Sequence, residues 1–241
     1  MKQKPVHASM QPFLQGSVVL IDKPLRWTSF DAVKKIRILT GVSKVGHAGT
    51  LDPLATGLLI ICTGSFTKNI LEYMGMEKEY TGTIIAGATT ASYDLESEPE
   101  DFKDLSNLSS DSIYAAAQNF KGEILQVPPV HSAIKQNGKP VYLSARKGKE
   151  VVLDARKVTI SEFEITGILL PAISFRVVCS TGTYIRSLAN DFGNVLGTGA
   201  YLGSLRRTRI GKFSVEDSLT PQAFEEHVKS LKLGLEGQPN T

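Results

Sequence analysis

The twelve residues Gly46-His47-Ala48-Gly49-Thr50-Leu51-Asp52-Pro53-Leu54-Ala55-Thr56-Gly57 constrain this chain more than any others, because the apolar run Leu58–Cys62 follows them without a break. Glycine admits positive φ and lets another group come close to the backbone. Pro53 fixes its own φ and biases Asp52 away from helical geometry. The chain must therefore turn tightly, present one carboxylate, and run at once into a core strand. A loop with a purely structural role rarely needs three glycines, a histidine and an aspartate-proline pair in so short a span.

The remaining pattern is that of many strands and few helices. Val18–Ile21 reads as a short strand ended by Asp22-Lys23-Pro24. Thr28-Ser29-Phe30-Asp31 reads as a helix start, with a hydroxyl cap and an acid three residues on. Phe30, Val33, Ile36 and Leu39 follow at helical spacing, and Gly41 is placed to end that helix. Tyr80–Thr90 alternates and predicts a strand, Asp111–Phe120 a helix capped near Ser110, and Glu123–Val127 a strand before the break at Pro128-Pro129. Val151–Val158, Glu162–Ile165 and Ile173–Cys179 read as strands, and Tyr184–Leu196 as a helix with Ile185, Leu188, Ala189 and Phe192 on its apolar face. Many of these strands are joined without helical crossovers. The predicted class is α+β, with a mixed, largely antiparallel central sheet flanked by helices. Residues 1–15 are polar and irregular and read as a flexible tail.

At 241 residues the chain can form one large domain or two small ones. Its net charge of +3 says little alone about an anionic partner, so the distribution of charge carries that argument. Val130–Lys149 holds Lys135, Lys139, Arg146, Lys147 and Lys149 with no acid, and Phe192–Val215 holds Arg206, Arg207, Arg209 and Lys212 with no acid. Such clusters suit phosphates, and His131, Tyr142 and Tyr201 add rings suited to stacking on bases. By contrast, Asp94–Asp111 carries seven acids against Lys103 and reads as a solvated excursion that would repel nucleic acid. Cys62 and Cys179 lie in apolar runs and read as buried thiols of a reducing cytosol. His7, His47, His131 and His227 lack ligand spacing, so no metal is expected. No signal peptide is recognisable, and no apolar run approaches the roughly 18 residues a membrane span needs, so the expected location is cytoplasmic and away from membranes.

The blocks, taken in order, resemble the TruB family of tRNA pseudouridine synthases. Gly46–Gly57 looks like the family's catalytic motif, and Asp22-Lys23-Pro24 with Thr28-Ser29 like its first motif. Lys78-Glu79-Tyr80, Pro128-Pro129 with Ser132-Ala133 and Lys135, Gly182-Thr183-Tyr184-Ile185-Arg186 and Leu205-Arg206-Arg207-Thr208 resemble the later ones. The match covers residues 16–214, which the resemblance makes the catalytic domain, followed by a short extension at 215–241. About 27 residues after Ser214 are too few for the C-terminal PUA-type domain that many members carry, so a short form is expected.

The resemblance implies the pseudouridine synthase fold and an enzyme that isomerises the T-loop uridine 55 of tRNA after flipping the base. Asp52 matches the nucleophile, Arg186 the arginine that pairs with it, and Tyr80 the tyrosine that stacks on the uracil. His47 matches the histidine that fills space in the RNA loop, and Leu205 a leucine lining the uracil pocket. Tyr184, two residues before Arg186, is expected to pack in the same site, and Lys23 and Pro24 to shape it. The implied partner is the tRNA T-arm stem-loop, the implied state a monomer, and no cofactor is needed. Read from the residues alone, a carboxylate nucleophile splits one hard step into two. Three other readings keep part of the pattern. A non-catalytic RNA-binding protein would keep the basic clusters without needing Asp52, and a nucleoside hydrolase would release uracil but usually needs a second carboxylate. A guide-RNA-dependent synthase would need the longer C-terminus and partner proteins.

Overall fold

The computed structural model describes residues 7–129, 135–136, 139–140 and 153–236. In chain order the elements are α1 (Gln11–Gln15), β1 (Val18–Lys23), α2 (Ser29–Thr40), β2 (Val45–Ala48), β3 (Ala55–Thr63), α3 (Ile70–Gly75), β4 (Lys78–Ala86), α4 (Ser110–Gln118) and β5 (Gly122–Gln126). They continue as β6 (Lys135–Gln136), β7 (Lys139–Pro140), β8 (Arg156–Leu169), β9 (Ala172–Cys179), α5 (Ile185–Leu196), β10 (Ala200–Ile210), β11 (Phe213–Ser214) and α6 (Pro221–Glu236). The class is mixed α and β with mostly antiparallel strand pairing, as the pattern predicts. Two units form, Met1–Lys78 with Arg206–Thr241, and Glu79–Leu205.

In the first unit β3 is the organising strand. β1 pairs with it antiparallel from Val18↔Cys62 to Lys23↔Gly57, and β2 from Val45↔Thr63 to Ala48↔Ile60. Leu59 and Ile61 pack with Val19, Ile21, Val33, Ile36 and Phe224, whereas Leu58, Ile60 and Cys62 pack with Ile210 and Val215. The run is apolar throughout because both faces of the strand are covered. α2 begins where the sequence places it. The Thr28 hydroxyl accepts from the Asp31 N–H at 3.1 Å, Asp31 accepts from the Thr28 N–H at 2.9 Å, and Gly41 ends the helix at φ 72°.

In the second unit the strand order is β10-β4-β9-β8-β5. Phe120, Phe163, Phe175 and Phe192 form its aromatic core, with ring centroids 5.6–6.1 Å apart. Phe192 of α5 meets Phe163 of β8, which in turn meets Phe175 of β9. Gln126, buried at the end of β5, anchors the start of α5. Its amide donates to the Tyr184 carbonyl at 3.0 Å and accepts from the Tyr184 N–H at 2.7 Å.

Three expectations change. Residues 8–15 are not a loose tail: they are helical, Met10 is fully buried in the first core, and Phe13 meets Phe224 edge-on. The remainder of that expected tail, residues 1–6, lies outside the described residues. The segment after Ser214 is part of the first unit rather than an appendage. Leu219 exchanges backbone hydrogen bonds with Leu20 and Asp22 of β1, and Phe224 and Val228 of α6 fill the core. Finally, residues 156–158 of the strand expected at Val151–Val158 and the strand expected at Glu162–Ile165 belong to one strand, β8, whose register against β9 shifts twice; residues 151–152 lie outside the described residues and 153–155 are not strand. Cys62 and Cys179 are both buried, and burial pushes the Cys62 thiol up to about 11.

Candidate active site

The loop carrying Asp52 is gripped from several sides within the first unit. The Ser29 hydroxyl, at the first turn of α2, donates to the Leu51 carbonyl at 3.2 Å and accepts from the Leu51 N–H at 2.9 Å. The Arg26 N–H donates to the Pro53 carbonyl at 2.7 Å, and the Ala55 N–H to the Asp52 carbonyl at 3.0 Å. Arg207 is fully buried. Its guanidinium donates to the carbonyls of Leu58 at 2.7 Å, Gly49 at 3.2 Å and Thr50 at 3.4 Å. Residues 49, 50, 51, 53 and 58 are thus fixed on both sides of a half-buried Asp52. Gly57, at φ 102°, lets β10 come this close, since a Cβ there would overlap the Arg207 backbone.

Lys23 ends β1 with its ammonium buried, donating to the Trp27 carbonyl at 2.6 Å and the Pro24 carbonyl at 3.0 Å. Burial lowers its pKa to about 8; the Asp52 carboxylate opposes that shift and the Arg207 cation adds to it. His47 lies on β2 opposite Ile61. Burial lowers the pKa of its ring, against the Gly49 backbone and with help from Arg207, so the imidazole is neutral at neutral pH. The loop thus brings the Asp52 carboxylate within electrostatic range of the buried Lys23 ammonium.

The second unit fixes a cation in the same manner. Arg186, on the first turn of α5, is buried; its Nε lies 3.6 Å from the Asp94 carboxylate and its Nη1 donates to the Ser92 carbonyl at 3.3 Å. Asp94 is itself held, accepting from the Ser92 hydroxyl at 2.6 Å and the Glu96 N–H at 3.0 Å. Tyr184 caps α5, its ring 5.2 Å from the Arg156 guanidinium. Tyr80 is buried on β4, and Leu205 is half-buried on β10.

This chain resembles proteins of known kind along its length. The model of the TruB family pseudouridylate synthase N-terminal domain matches residues 37–185, and that of the tRNA pseudouridylate synthase B C-terminal domain matches residues 186–236. The chain belongs to the TruB family of pseudouridylate synthases. A tRNA pseudouridine synthase B of Flavobacterium johnsoniae is 52% identical over 226 residues, covering 91% of this chain and 99% of that one. One of Phocaeicola vulgatus is 50% identical over 220 residues, covering 89% and 94%. Among solved structures, a chain of a Cbf5-Nop10-Gar1 complex aligns with a TM-score of 0.74 and 28% identity, over 95% of this chain and 58% of that one.

Of the site residues expected from sequence, Asp52, His47 and Lys23 belong to the first unit, and Tyr80, Tyr184, Arg186 and Leu205 to the second. Sequence reasoning missed Ser29 as a clamp, Arg207 as the loop's anchor and Asp94 as the partner of Arg186. Asp94 overturns the reading of its segment as wholly solvated: it is buried, while Glu96 and Asp101 onward face outward. The basic cluster at Arg206–Lys212 is corrected too. Arg207 is internal, Arg206 forms a two-pronged pair with Asp22 at 2.7 and 3.0 Å, and Arg209 pairs with Glu77 at 3.1 Å. The acids that neutralise them are remote in sequence, which is why the segment looked purely basic. The side chains of the other basic cluster, Lys135, Lys139, Arg146, Lys147 and Lys149, lie outside the described residues, as do His131, Ser132, Ala133 and Tyr142.

Proposed function

We propose that this synthase converts uridine 55 in the T-loop of tRNA to pseudouridine, with Asp52 as the nucleophile. The observation that carries the reading is the Asp52 loop, whose backbone is held on both sides of the carboxylate by Ser29, Arg26 and Arg207. A carboxylate nucleophile splits one hard step into two easier ones through a covalent intermediate. Relatives named tRNA pseudouridine synthase B support tRNA as the substrate.

The reaction conserves every atom of the nucleotide. The bond from uracil N1 to ribose C1′ breaks, the base turns, and a bond from C5 to C1′ replaces it. C5 gives up its proton and N1 ends with one. In this reading Arg186 holds the carboxylate ionised, Tyr80 stacks on the turned base, Leu205 and Tyr184 line its pocket, and His47 fills the space the base leaves. The target base must leave its stack, at a cost of a few kcal/mol that contacts to the RNA offset. The protein acts as a monomer in the cytoplasm and needs no cofactor.

The test is to incubate the protein, with chelator present, with unmodified tRNA transcript and map pseudouridine by chemically induced reverse-transcription stops. A stop at the T-loop uridine, with no free uracil, is expected. Free uracil would identify a hydrolase, and RNA binding without any new stop would identify a non-catalytic RNA-binding protein.

A further inference from the structure

Arg26 carries a left-handed backbone, φ 65°, one of three non-glycine residues with positive φ among the described residues. A side chain at such a position costs of order 1 kcal/mol, which a glycine would avoid. The same residue touches the catalytic loop directly, its N–H on the Pro53 carbonyl at 2.7 Å, next to Asp52. Glycine would make that backbone hydrogen bond equally well, so the bond does not explain the side chain. The Arg26 side chain is exposed, with no hydrogen bond or ion pair to it among the described residues, although Asp22 and Asp31 lie nearby in sequence and take other partners. Leu25 and Phe30, on either side of this turn, are also exposed, 53% and 61%. An exposed cation between two exposed apolar side chains, at the rim of a clamped nucleophile, is a surface for a charged backbone that carries flat bases.

We infer that Arg26 binds a phosphate of the RNA backbone close to the target nucleotide, with Leu25 and Phe30 packing against the neighbouring sugar or base. The inference rests on the reading of the substrate as RNA. The guanidinium presents paired donors that match two phosphate oxygens. The contact accounts for an arginine at a position where glycine is the unstrained choice.

The test compares Arg26→Gly, Arg26→Ala and Arg26→Lys with the wild type on tRNA transcript, over a salt series. Arg26→Gly should melt at or above the wild-type temperature, because strain is removed. It should raise KM about fivefold with a much smaller effect on kcat, as loss of one charge-assisted contact predicts. The log–log salt slope of binding should fall by roughly 0.7–0.9, one phosphate's worth. Arg26→Ala should show the same loss of binding without the gain in melting temperature, and Arg26→Lys should keep most of the slope. An unchanged KM and slope in Arg26→Gly overturns the inference, whatever its stability. If the wild type itself forms no pseudouridine in RNA, the functional reading fails instead, and the two outcomes are distinct.

Discussion

At the scale of single residues, the site is built from side chains that hold backbone. Ser29 is the smallest of them, and its hydroxyl meets both the N–H and the C=O of Leu51. Ser29→Ala leaves both groups buried without that partner, which costs about 1–3 kcal/mol. The expected outcome is a lowered melting temperature and a kcat that falls more than KM rises, since the loop and not the RNA surface has lost its support. Lys23 gives a pH signature. Burial holds its pKa near 8 in the folded chain, against 10.5 when exposed. Below pH 8 both states carry the proton and folding bears the full cost of burying the ammonium. Between pH 8 and 10.5 only the unfolded chain stays protonated, so stability from this group rises with pH. Urea titrations of wild type and Lys23→Met over that window should show the wild type gaining on the variant as pH rises. A difference that stays flat would mean the ammonium is not buried as described.

At the scale of elements, what could be read in advance was what local chemistry decides. The capping box of Thr28 and Asp31, the Gly41 stop and the strand at Leu58–Cys62 all follow from neighbours in sequence, and all are present. β2 was not legible, because Val45–Ala48 is a strand only by virtue of β3 beside it. Nor was the role of α6, whose Phe224 and Val228 gain their meaning from Met10, Val33 and Ile36, far away in the chain. The candidate site divides along the same line. Asp52 and His47 stand out in the sequence because the Gly46–Gly57 motif is itself unusual. Arg207 and Asp94 were misread because their partners, the Gly49 and Leu58 carbonyls and Arg186, come from other elements. Gly57 is where two elements meet most closely. Gly57→Ala combines a positive φ with a Cβ that overlaps the Arg207 backbone, so one strand must move. Loss of soluble folded protein, or a drop in stability beyond about 3 kcal/mol, is the expected result. A variant that melts like the wild type would show that the approach of β10 to β3 is looser than described.

For the molecule as a whole, net charge was a poor guide and local pairing a good one. A chain with a net charge of +3 buries Arg207 as an anchor and pairs the partly exposed Arg206 and Arg209 with Asp22 and Glu77. In the proposed function the clamped Asp52 performs the isomerisation while the rest of the chain binds and positions the RNA. The direct measurement is single-turnover pseudouridine formation by Asp52→Asn on unmodified tRNA, with RNA affinity measured on the same preparation. The change is nearly isosteric, so the fold and the RNA surface should survive it. The account predicts no detectable pseudouridine with an affinity within about tenfold of wild type, roughly 1.4 kcal/mol. Turnover near the wild-type rate would contradict it.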